Sequence, residues 1–348
     1  MPKAISCMSL LLCLFIQASH AHASTSKRPL NLLIWEDFLD EQVIEQWERE
    51  TGIPIKQTYY DNEAQRNLVL SSSSKSNFDL VIVDQTSINV LGQAGYIYPV
   101  EPNNNPQYWQ ESCGVYGRAY AWGTYGIGYR ADKLSSPINS WGDLMFPKGN
   151  LRGHISMLGQ ADELITSALA ALEYPISASD EPSLREAFKL LKQQSSFVVT
   201  YDYIYSYIVE NPDSDEVWVA PMYSGDHEGL NDIQGIDSWT YVIPEEGAIV
   251  WMDCLAIVAS SGKKSEAQDF IDFLSREDIT ALNTEALGVA TPFIDAVALQ
   301  NEDFQSNRNV YLQDETLEKA MLFAPLAGDD MLKRIRIKDA LIRYYDSN

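Results

Sequence analysis

Leu80-Val-Ile-Val83, inside Phe78-Asp-Leu-Val-Ile-Val83, decides the fold. An apolar run this short, β-branched at three positions and without alternation, describes a strand covered on both faces, as in parallel sheets under helices. The preceding segments complete the pattern. Leu30-Asn-Leu-Leu-Ile34 is a first strand. Asp40 then caps a helix carrying Val43, Ile44 and Trp47, closed by Gly52 with Pro54 just beyond, and Ile53–Tyr59 is a second strand. Further on, Leu184, Ala187, Phe188 and Leu191 fall at i, i+3, i+4 and i+7, as do Ala267, Phe270, Ile271 and Leu274. Both sets predict amphipathic helices. Alternating strands and helices define an α/β chain, with mainly parallel sheets expected.

Other segments are less regular. Asn103–Pro106 and Ser135–Pro137 are turn-rich breaks. Between them lies Tyr120-Ala-Trp-Gly-Thr-Tyr-Gly-Ile-Gly-Tyr129, rich in β-formers. No helix start follows its glycines, so a phosphate loop is not expected. Tyr201, Tyr203, Tyr205 and Tyr207 alternate, a pattern that lines a cleft or decorates a strand face. Near the C-terminus, Leu332, Ile335 and Ile342 predict a helix with one packed face. Lys333, Arg334, Arg336, Lys338 and Arg343 would form its solvated basic face.

The first 23 residues carry the marks of an export signal. Lys3 precedes the apolar run Ile5–Ile16, which is too short to span a bilayer, and Ala21-His22-Ala23 fits the small-x-small cleavage rule. A soluble periplasmic protein beginning near Ser24 is expected. Cleavage leaves 24 basic residues against 49 acidic ones, a net charge of −25. That excludes nucleic acid, whose phosphates require Lys and Arg, and suits a cationic ligand. The remaining 325 residues exceed what one core usually organises, so two lobes are expected. Cys113 and Cys254 remain in a compartment that permits disulfides. Either they are two buried thiols, or they close a loop of 141 residues, which would stabilise by about 4–5 kcal/mol.

Chemistry beyond binding finds little support. After cleavage only His154 and His227 remain, far apart and unpaired with either cysteine, so neither a metal nor another cofactor is expected. No Gly-x-Ser-x-Gly elbow is present. Acids and aromatics instead gather at strand ends, where open α/β sheets hold ligands. Trp35-Glu36-Asp37-Phe38 follows the first strand, Asp84 closes the third, and Glu163 opens a helix. Met222-Tyr-Ser-Gly-Asp226 follows the apolar run Val217–Ala220. In Trp251-Met-Asp253 alternation puts Trp251 and Asp253 on one side of a strand. An indole face beside a carboxylate suits an organic cation, whereas a core Trp beside a turn-capping Asp is the plainer alternative.

These segments, taken in order, resemble the bacterial periplasmic spermidine/putrescine-binding family. The likeness runs from Leu30 to Pro292 through Ile34-Trp35-Glu36, Glu50-Thr-Gly-Ile53, Phe78-Asp-Leu-Val81, Trp122-Gly-Thr-Tyr-Gly-Ile-Gly128, Ser140-Trp-Gly-Asp-Leu144, Pro244-Glu-Glu-Gly247, Trp251-Met-Asp-Cys-Leu-Ala-Ile257 and Leu287-Gly-Val-Ala-Thr-Pro292. The resemblance implies a hinge-closing, two-lobed binding protein with discontinuous lobes, each around a central mixed sheet. Residues 28–123 with 253–298 would form the first lobe, and 124–252 with 299–348 the second. It further implies aromatic walls at Trp35, Phe38 and Trp251, with Glu36 and Asp37 beside them, and ammonium-holding carboxylates at Glu163 and Asp253. Thr86 stands where the family has a tyrosine, with Asp84 a new acid two residues earlier. Gln160 replaces a carboxylate, and Tyr223 a tryptophan, with Asp226 nearby. Family contacts also fall on Val289 and Phe323.

The expected function is therefore non-enzymatic capture of a polyamine by a monomer, for an ABC permease. The alternative implied by a related branch is a norspermidine or spermidine sensor signalling to a membrane cyclic-di-GMP enzyme. Aromatic stacking also leaves sugar binding open, and paired carboxylates a glycoside hydrolase.

Overall fold

The computed structural model describes residues 27–71, 77–109, 111–323, 326 and 328–347; the expected export signal lies outside them. The described strands are β1 (Leu30–Ile34), β2 (Ile55–Tyr59), β3 (Leu80–Asp84), β4 (Ile97–Tyr98), β5 (Arg118–Arg130), β6 (Ile155–Ser156), β7 (Val198–Thr200), β8 (Val219–Tyr223), β9 (Trp239–Val242), β10 (Ile249–Val258) and β11 (Met321–Leu322). They form one curled sheet in the order β2-β1-β3-β10-β5-β8-β6-β7, with β4 and β11 attached to β10 and β9 to β5.

The opening segment folds as its sequence requires. β1 pairs in parallel with β2 and β3. Leu80 and Ile82 enter a core with Leu30, Ile34, Trp47 and Phe270, while Val81 and Val83 enter another with Leu33, Met252 and Cys254. That two-faced burial is why the run lacks alternation. The helix Glu41–Thr51 starts where the Asp40 carboxylate accepts from the Gln42 N–H, and it ends at Gly52 in the left-handed region.

The expectation of mainly parallel pairing fails at the centre. β10 runs antiparallel to both β3 and β5, and β5 antiparallel to β8 and β9. β5 has 13 residues and β10 has 10, enough to cross from one lobe to the other, and two crossing strands of opposite direction must pair antiparallel. At its far end β5 packs Tyr125 and Ile127 into a separate core with Trp141, Leu164, Ile165 and Leu191. Parallel pairing returns beyond β8, with β6 flanked by β7 and β8. Gln85 fastens the crossing: its N–H donates to the Met252 carbonyl at 2.9 Å, and its side-chain oxygen accepts from the Met252 N–H at 2.8 Å.

Three further expectations change. The alternating tyrosines are no strand, because Ile204–Glu210 is a helix. In the C-terminal helix Gly328–Tyr345, Leu332 and Ile335 are exposed and Arg334 is buried. Its packed stripe is Arg334, Ile337 and Leu341, turned inward because the Arg334 guanidinium meets the Asp162 carboxylate at 2.5 Å. Val310 and Leu312, placed with the second lobe by sequence, pack beside Val81 and Val83.

Candidate ligand site

The acids and aromatics meet where the strand ends of the two lobes face each other. On the first side, register sets Asp253 of β10 directly opposite Asp84 of β3. Side chains alternate along β10, so Val250, Met252 and Cys254 enter one core while Trp251 and Leu255 face the other way. Asp253 shares that second face, as expected from the two-residue period. A bulge in β5 between the partners of Asp253 and Cys254 leaves this alternation intact. Cys254 is bonded to Cys113, with 5.7 Å between their Cα atoms, which anchors β10 immediately after Asp253.

Asp253 is buried, and its carboxyl is pushed up to about 7. Burial is the main cause and the Asp84 charge adds to it; Arg66 and a hydrogen bond from the Trp35 side chain oppose. Asp84 behaves oppositely. Burial would raise it, but Arg66, the Thr86 hydroxyl and the Ser87 N–H outweigh that, and the carboxyl sits below its ordinary range. Arg66 Nη1 lies 2.8 Å from Asp84 Oδ2, and its guanidinium lies 5.7 Å from the centre of the Tyr60 ring. Trp35 packs on the same ring at 4.2 Å.

On the second side, the helix Ala161–Ala171 presents Glu163 in its first turn. Tyr223 Oη donates to Glu163 Oε1 at 3.1 Å, while Oε2 is buried without a hydrogen-bond partner among the described residues. Burial first, then the Asp162 charge, push Glu163 to about 7. Asp226, raised by burial to about 7, accepts from Tyr203 Oη at 2.6 Å and from the Tyr223 N–H at 2.8 Å. Tyr223 meets Trp251 edge-on at 6.1 Å. Trp251 packs against the cores of both lobes and lies across Gly123, where an added Cβ would come within 2.6 Å of the indole. Glu63 of the helix Glu63–Ser71 joins from the first lobe, pushed well above its usual range by burial and by Asp84 and Glu163.

The structure thus gathers Trp35, Asp84, Thr86, Glu163, Tyr223, Asp226, Trp251 and Asp253 around one site. Glu36 and Asp37 lie exposed in the turn after β1, and Phe38 packs on Tyr120 at 5.5 Å. Val289 and Phe323 are buried core residues. Sequence reasoning missed Glu63 and Arg66. The available signal was position: Arg66 precedes Leu70 by four, so the two share a helix face. Chemically, the site offers indole and phenol faces, with buried carboxylates at both ends, of which Asp253 and Glu163 have no ion-pair partner among the described residues.

A curled α/β sheet crossed twice by long strands, with acids and aromatics between its lobes, is the build of a solute-binding protein. The chain belongs to the family of bacterial extracellular solute-binding proteins, which matches residues 42–311. It is 29% identical over 323 residues to the norspermidine sensor of Vibrio cholerae, covering 91% of this chain and 90% of that protein. It is 26% identical over 322 residues to the spermidine/putrescine-binding periplasmic protein of Escherichia coli, covering 86% and 87%. Its fold matches the spermidine/putrescine ABC transporter substrate-binding protein PotD of Streptococcus pneumoniae with a TM-score of 0.75 at 21% identity, over 92% of this chain and all of that one.

Proposed function

We propose that this protein binds a polyamine in the periplasm, between lobes 28–123 plus 253–298 and 124–252 plus 299–348, with Val310 and Leu312 of the last segment packing on the first lobe, and that it delivers the amine to an ABC permease as a non-catalytic monomer. One observation carries the reading: Asp253 and Glu163 are buried from opposite lobes, both raised to about 7, and Glu163 keeps one oxygen unpartnered. Such groups call for a cation with two positive ends. Aromatic faces at Trp35, Trp251 and Tyr223 suit the methylenes between them, each worth about 0.8 kcal/mol when buried. A neutral sugar would leave the carboxylates without a counter-charge. The relatives' names agree with a polyamine ligand.

Calorimetric titration of the processed protein with putrescine, spermidine and norspermidine tests this. At least one should bind tighter than about 100 μM, and Asp253→Asn should weaken it. Failure of all three, or an Asp253→Asn variant that binds like wild type, sinks the proposal.

A second reading, supported by the likeness to the norspermidine sensor, makes the bound form a signal to a membrane cyclic-di-GMP enzyme. Co-purification of the loaded protein with such an enzyme rather than a permease selects it.

A further inference from the structure

Asp84 and Asp253 face each other across an antiparallel ladder, which places two carboxylates a few ångströms apart on one buried surface. Like charges so placed cannot both stay ionised without a counter-ion. Among the described residues the one in direct contact belongs to Asp84. Arg66 has no solvent exposure, stands 2.8 Å from Asp84 and lies against the Tyr60 ring. The Thr86 hydroxyl and the Ser87 N–H occupy the other Asp84 oxygen. Among the described residues Asp253, one strand over, has no cation of its own beyond the field of Arg66, and neither has Glu163 across the cleft.

We propose that Arg66 is a resident cation standing in one ammonium position of the cleft, so that it limits how many ammonium groups, and what length of polyamine, the site neutralises. The inference rests on the polyamine reading above. A ligand would run from Glu163 to Asp253 and stop against Tyr60 and Arg66. The guanidinium excludes a further ammonium from Asp84 by occupying the place and by repulsion. Arg66 is then a specificity-determining residue that need not contact the ligand's reach toward the second lobe.

The test compares spermidine with putrescine, a triamine with a diamine, on wild type, Arg66→Gln and Arg66→Gln/Asp84→Asn. In Arg66→Gln the ratio of the two dissociation constants should move about tenfold or more toward spermidine, the size of a charge-assisted contact. The double variant, with no carboxylate to fill, should return to the wild-type ratio within about twofold. A ratio unchanged in Arg66→Gln overturns the inference, as does an equal gain in the double variant. Where Arg66→Gln is unstable, spermidine should raise its Tm more than putrescine does, because the extra ammonium replaces the guanidinium. Equal rescue, or a chain that neither amine can fold, is also contrary. Wild type binding neither amine would instead bring down the polyamine reading, and this inference with it.

Discussion

In each lobe a buried arginine takes one acid beside the cleft and leaves a neighbouring acid without an ion pair among the described residues. In the first lobe Arg66 takes Asp84 and leaves Asp253; in the second Arg334 takes Asp162 and leaves Glu163. The arginines differ in how they are held. Arg334 also donates to the Thr166 hydroxyl at 3.1 Å and to the carbonyls of Ile176 and Ala178. It is a clamp that fixes the C-terminal helix to the helix bearing Glu163. Around Arg66, Nη2 finds no acceptor among the described residues, and its neighbours include Asp84, Asn67, Glu63 and an aromatic face. The same chemical pair is thus structural in one lobe and part of the site in the other. Buried arginines are separated by their remaining donors, not by the carboxylate they meet.

The largest effect should fall on the clamp. Arg334→Met strands Asp162 in the core, and such broken pairs lose about 3–5 kcal/mol. Urea unfolding should show that loss, and a change below about 1 kcal/mol would deny the clamp its role. Next come the free acids. Asp253→Asn and Glu163→Gln should each weaken polyamine binding by about 2–3 kcal/mol, roughly 30- to 150-fold, in calorimetry. Neither should lower the Tm of the ligand-free protein, since the charged form of each is disfavoured by burial.

The pH response follows from the same groups. Asp253, Glu163 and Asp226 are raised to about 7 when folded, against ordinary values near 4 unfolded. Folding therefore retains protons between those limits, and ligand-free stability from these sites falls as pH rises from about 4 through 7. A cation needs the ionised form, so binding should release protons and weaken as pH drops below about 7. Calorimetry in buffers of different ionisation enthalpy measures that release; proton uptake would contradict it. Asp162 joins this profile, because burial raises it to about 6 against the pull of Arg334, whereas Arg66 helps hold Asp84 below its ordinary range and so outside the window. The smallest change is Gly123→Ala. Its methyl would press on Trp251 and on Ser224, 2.8 Å away, costing about 1–3 kcal/mol of packing. Binding should drop while the circular dichroism stays native.

Local signals were legible because they depend on neighbours in the chain. The Asp40 cap, the Gly52 stop, the two-faced run at Leu80 and the shared face of Trp251 and Asp253 need only a few residues of context. What escaped depends on remote partners. Arg66 resembles any helix arginine until β3 supplies Asp84, and Arg334 resembles a solvated base until Asp162 arrives from 172 positions away. The tyrosines at 201–207 misled because their period of two belongs to a short loop entering a helix. Mainly parallel pairing misled because the direction of a crossing strand is set by the return of the chain, not by its residues.

The two crossing strands also constrain the order in which this chain can mature. β3 lacks its β10 neighbour, and Cys113 its partner, until the chain has been made beyond Val258. A chain threaded across a membrane from its N-terminus would hold Cys113 waiting through 141 residues before Cys254 appears. During that interval the second lobe is being added while the first still lacks β10. Oxidation then seals the segment beside Asp253 late, so the ligand anchor is among the last pieces of the molecule to be set.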